Sequence, residues 1–144
     1  MVFITGLFRK HDPEQRLRLE RAVADVDREL AANLELTSVF DQTKQAVVLE
    51  NGEFMRHRAT IEIGLAAASG ALADLYARIS DTEAAMERRG PANSIRDDDR
   101  RVIETWEGDA RSVQRDLREA LARPPRSNLR ALLRRLSGML PSRR

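Results

Sequence analysis

Leu19-Glu20-Arg21-Ala22-Val23-Ala24-Asp25-Val26-Asp27-Arg28-Glu29-Leu30-Ala31-Ala32-Asn33-Leu34 is the stretch that decides the fold. Leu19, Val23, Val26, Leu30 and Leu34 recur at spacings of four and three. That spacing places them on one helical face, with most of the charges elsewhere. Upstream, Asp12 can cap the helix, Pro13 suits its first position and Gln15 stands three residues after the cap. Downstream, Leu36, Val39 and Phe40 extend the seam with some drift, so the helix is predicted to reach about residue 42.

Working outward, residues 45–63 read two ways. Ala46-Val47-Val48-Leu49 and Phe54 flank Asn51-Gly52, a strong hairpin signal, and Thr60-Ile61-Glu62-Ile63 alternates as a strand would. A lone hairpin is marginal in water and no third strand supports it, so a turn near Asn51-Gly52 between two helices is the preferred reading. A second helical region is predicted over about 53–89, with Ile61, Leu65, Ala68, Leu72, Leu75, Ile79 and Met86 on its buried face. The small-residue run Ala66-Ala67-Ala68-Ser69-Gly70-Ala71 suggests close approach of a neighbouring helix at Gly70, where glycine otherwise weakens a helix. Ser80-Asp81-Thr82-Glu83 offers a second capping box at which the helix can break and restart, and Gly90-Pro91 ends it.

A third helix is predicted from Ser94 as cap with Asp97 reaching back. Its seam is Ile95, Val102, Ile103, Trp106, Ala110, Val113, Leu117, Ala120 and Leu121. The expected fold is therefore all-α: an antiparallel bundle of three long helices plus a short amphipathic C-terminal helix. Three regions follow: an apolar N-terminal arm over 1–11, a helical bundle domain over 12–123 and a basic amphipathic tail helix over 124–144.

The tail carries the clearest functional signal. After Pro124-Pro125, residues Leu129, Leu132, Leu133, Leu136, Met139 and Leu140 form one apolar stripe, with Arg130, Arg134 and Arg135 off it. Residues 124–144 hold six arginines and no acid, which leaves a net charge of −4 on the rest of a chain of net charge +2. A basic footprint on an appendage rather than on the folded body disfavours nucleic acid as partner. An apolar stripe bordered by arginines suits an anionic membrane surface, or a groove on a protein partner. Phe3, Ile4 and Phe8, followed by Arg9-Lys10, add a second lipid-facing element. No run approaches the roughly 20 apolar residues of a membrane span, and the N-terminal charges follow the apolar run, the reverse of a secretory signal.

Candidate chemistry is sparse. The chain contains 144 residues, two histidines and no cysteine, which excludes disulfides and thiolate catalysis. Neither His11 nor His57 belongs to a Glu-x-x-His pair of the carboxylate di-metal type. Glu53 lies four residues before His57 and is read as a solvated surface pair. Asp97-Asp98-Asp99 is read as a helix start that complements the backbone dipole, and Tyr76 and Trp106 as core. No nucleophile elbow or glycine-rich phosphate loop is present. The expected protein is a non-catalytic scaffold or adaptor, cytoplasmic and at the inner face of a membrane, with no cofactor, metal or small-molecule substrate. The alternatives are a soluble cytoplasmic interaction bundle whose tail packs on itself or on a partner and, behind it, a nucleic-acid accessory protein; self-association suits the heptad-like seams.

Overall fold

A computed structural model describes residues 12–123. The chain is all-α, and no strand occurs among the described residues. Helix α1 (Pro13–Thr43) starts where the sequence places it: the Asp12 carboxylate accepts the Glu14 N–H at 3.0 Å, and Pro13 occupies the first turn. It ends on Lys44 in the left-handed conformation (φ 59°), whose N–H returns to the Phe40 carbonyl at 2.7 Å. Glycine is the usual residue at such a stop. Here Arg89 donates to the Lys44 carbonyl and lies over the Phe40 ring, holding the exit of α1.

Residues 44–51 are neither helix nor strand. Leu49 is buried and Val48 exposed within this connector, while residues 60–63, the stretch that alternates in the sequence, lie inside a helix. The connector backbone pairs with side chains instead of with another strand. The Asn33 amide donates to the Glu50 carbonyl at 2.8 Å and accepts the Glu50 N–H at 2.7 Å, while the Leu49 N–H donates to Glu83 at 3.1 Å. Helix α2 (Gly52–Gly64) then begins at the Asn-Gly pair, as the two-helix reading expects.

The predicted second helix is not one rod. It comprises α2, α3 (Ala66–Ala77) and α4 (Ile79–Glu87), and the chain reverses at Leu65 (φ −134°, ψ 58°). Phe54 at the start of α2 stacks on Tyr76 at the end of α3, with ring centroids 4.2 Å apart. Residues that far apart in one helix would be separated by about 33 Å, so α2 and α3 form an antiparallel pair. The bend between α3 and α4 falls at Arg78 (φ −88°, ψ 0°), two residues before the capping-box serine. Glu83 of that motif holds the connector rather than a helix end.

After a short 3₁₀ turn at Pro91–Asn93, α5 runs from Asp97 to Ala122. Ser94 does not cap it; its hydroxyl donates to the Pro91 carbonyl at 2.7 Å and closes the preceding turn. Helix α1 packs on α2 and on α5, and α5 also packs on α3 and α4. Contacts run in opposite chain order between α1 and α2 (Asp25–His57, Glu29–Glu53), between α1 and α5 (Arg16–Leu121, Asp27–Arg118) and between α4 and α5 (Arg78–Asp109, Arg88–Asp99), so these three pairs are antiparallel. The core centres on Trp106, Phe40, Leu30, Ile61, Leu72, Leu75, Met86, Ile103 and Leu117, all under 2% exposed or nearly so. Val39 and Val102, expected in the seams, face solvent at 47% and 38% exposure. Polar Asn33 and Thr37 take the inward positions near Val39.

The close helix approach lies at Gly64, not at Gly70. A β-carbon on Gly64 would sit 2.7 Å from Leu19 Cδ1, whereas nothing lies within 4 Å of one placed on Gly70.

Candidate functional site at the α1–α2 interface

Polar side chains on the inner face of α1 face the start of α2. Glu29, 5% exposed, accepts the backbone N–H groups of Glu53 (2.7 Å) and Phe54 (3.1 Å). It therefore caps α2 from another helix, at the end where the backbone dipole favours a negative charge. Asn51, the residue in the local capping position, makes no side-chain cap bond. The Tyr76 hydroxyl donates to the same carboxylate at 2.8 Å. Burial, then the Glu29 carboxylate, push the Tyr76 phenol far above its ordinary value, so it stays a donor.

One turn nearer the start of α1, Asp25 meets Glu53 and His57. His57 Nε2 lies 2.9 Å from Asp25 Oδ2 and 3.4 Å from Glu53 Oε2, and the three groups fit within 4.8 Å of one another. Glu53 and His57 are four residues apart and share a face of α2. Their side chains are 33% and 19% exposed, and Asp25 is 29% exposed. The pair read from sequence as solvated is thus a half-buried interhelical triad. The missing signal was its third member, 28 residues upstream of Glu53 on the edge of the α1 seam.

Asp97, Asp98 and Asp99 do occupy the first turn of α5, as the sequence reading holds. Asp99 is also buried and pairs with Arg88 at 3.0 Å. Trp106 is fully buried, and its Nε1–H donates to the Leu75 carbonyl at 3.0 Å, next to the α3–α4 bend. Glu107, buried on α5 beside Thr37, is raised above the ordinary carboxylate value by burial first and by the charge of Asp41 second; Thr37 and Arg111 partly offset this. A depression of about 240 Å³ lies between α1 and α5, lined by Phe40, Asp41, Lys44, Ile95, Arg100, Ile103 and Glu104.

Phe3, Ile4, Phe8 and the tail residues Leu129, Arg130, Leu132, Leu133, Arg134, Arg135, Leu136, Met139 and Leu140 lie outside the described residues. Among the described residues no helix is long and apolar enough to cross a membrane. Comparison with family models, with curated proteins and with solved structures finds no match for this chain.

Proposed function

We propose that the chain is a non-catalytic helical scaffold or adaptor, peripherally associated with the inner face of a membrane through residues 124–144. The observation that carries this reading is the segregation of charge. Residues 12–123 hold 23 acidic and 17 basic side chains, whereas 124–144 hold six arginines and no acid. Helix α5 stops at Ala122, with Arg123 extended, just before the diproline that introduces the basic segment. In this reading 124–144 adds a short amphipathic helix to the bundle. Its leucines and Phe3, Ile4 and Phe8 contact lipid, and Arg130, Arg134 and Arg135 attract anionic headgroups. Each arginine near such a surface contributes about 1 kcal/mol, screened by salt.

Vesicle co-sedimentation tests the proposal. The full chain is expected to sediment with vesicles rich in an anionic phospholipid, less so at high salt, and not with neutral vesicles. Changing Arg130, Arg134 and Arg135 to Gln, or Leu132 and Leu136 to Ser, is expected to abolish the binding. Equal recovery with neutral and anionic vesicles, or none with either, defeats it.

A specific feature favours a soluble interaction bundle as the second reading. Met55 and Ile63 on α2 are 62% and 86% exposed, with Ala59 between them on the same outward face. That apolar strip suits the groove of a protein partner or a second copy of the chain. Failure of vesicle binding would leave this strip as the surface to test.

A further inference from the structure

We propose that Asp25, Glu53 and His57 bind a divalent transition-metal ion of the zinc class, which staples α1 to α2. A single imidazole nitrogen faces two carboxylates here, at 2.9 and 3.4 Å. The one hydrogen that Nε2 carries donates to Asp25 or to Glu53, never well to both. A cation in place of that hydrogen engages all three groups. Zinc bonds of about 2.0–2.1 Å to nitrogen and oxygen set tetrahedral ligand-to-ligand distances of roughly 3.3 Å. The spacing around His57 already lies near that value. Three protein ligands leave a fourth position for water, and the partial exposure of the triad provides an entry path.

The backbone beneath the ligands is held independently of any ion. The first turn of α2 is pinned by Glu29 through the Glu53 and Phe54 N–H groups, and α1 packs along α2. Two arginines approach the triad without closing it. Arg28 lies 3.3 Å from Asp25 Oδ1, the oxygen turned away from His57. Arg56 lies 3.5 Å from Glu53 and is 69% exposed, free to swing into solvent when a cation arrives. The donor set selects the metal class, since imidazole suits zinc, copper, nickel and iron, while calcium and magnesium favour oxygen alone.

The test is calorimetric titration of the full chain, stripped with a chelator, with zinc chloride, and in parallel with calcium and magnesium chloride. One saturable zinc site per chain is expected, with a rise in the thermal midpoint, and no comparable binding of calcium or magnesium. His57→Gln is expected to weaken zinc at least tenfold, and Asp25→Asn likewise. His11→Gln, which alters the other histidine, should leave affinity unchanged. Circular dichroism of each variant confirms that the helices persist, and Glu53→Gln replaces any variant that fails to fold. No saturable zinc binding, or affinity that survives both His57→Gln and Asp25→Asn, overturns the proposal.

Discussion

Glu29 shows how much one buried carboxylate can organise. It borders an apolar seam, yet it satisfies two otherwise free N–H groups of α2 and the phenol of Tyr76. Removing it leaves two buried donors and one half-buried donor without this partner. Glu29→Ala is therefore expected to destabilise the fold by about 3 kcal/mol or more in urea unfolding, and Tyr76→Phe by about 1–2 kcal/mol. A loss under about 1 kcal/mol for Glu29→Ala would show that α2 does not depend on this cap. Glu107 is the opposite case. Its folded-state value is raised, so the folded state takes up a proton before the unfolded state does. Stability from this group accordingly increases as pH falls through the window between the raised value and the ordinary carboxylate value, and is lowest above it. Glu107→Gln should raise the thermal midpoint at neutral pH, with the gain fading as the pH drops through that window. A gain that persists unchanged in acid would refute the assignment.

Helix interiors respond to backbone entropy as well as to contacts. Gly70 in α3 and Gly108 in α5 have nothing within 4 Å of a modest added methyl. Gly70→Ala and Gly108→Ala are each expected to stabilise by about 0.5–1 kcal/mol, read by chemical denaturation. Gly64→Ala should give no such gain, because Leu19 occupies the space. Equal stabilisation at all three positions would remove close approach as the reason for a glycine at 64. The α3–α4 bend is held from outside as well: Trp106 donates to the Leu75 carbonyl, and Arg78 spans Asp74 and Asp109 at 3.2 and 2.9 Å.

The molecule is built around α1, which packs on both α2 and α5 and pins the 44–51 connector through Asn33. That connector is the part of the chain that read ambiguously. Its alternation of buried and exposed residues is the signature of a strand, but side chains of α1 and α4 took the hydrogen-bonding place of a partner strand. The extent of α1 and the start of α2 were legible because caps and helical periodicity are local. The reversal at Leu65 was not, because it carries no proline, no positive φ and no turn motif, only a glycine whose role appears once Leu19 lies against it. Of the α1–α2 triad, the Glu53–His57 spacing was legible and Asp25 was not.

Periodicity, caps and charge in the sequence alone determined an all-helical chain with most of its core positions, and an acidic body set against a basic C-terminal segment. Each of these depends on neighbours within a turn or two, or on composition. Tertiary structure alone decided that the middle region folds back on itself, that polar Glu29, Asn33 and Thr37 are buried alongside the apolar seam, and that Asp25 meets His57. Periodicity specifies which face of a helix is buried. It carries no information about which helix will cover that face, and a polar residue becomes an acceptable core residue only when its partner arrives.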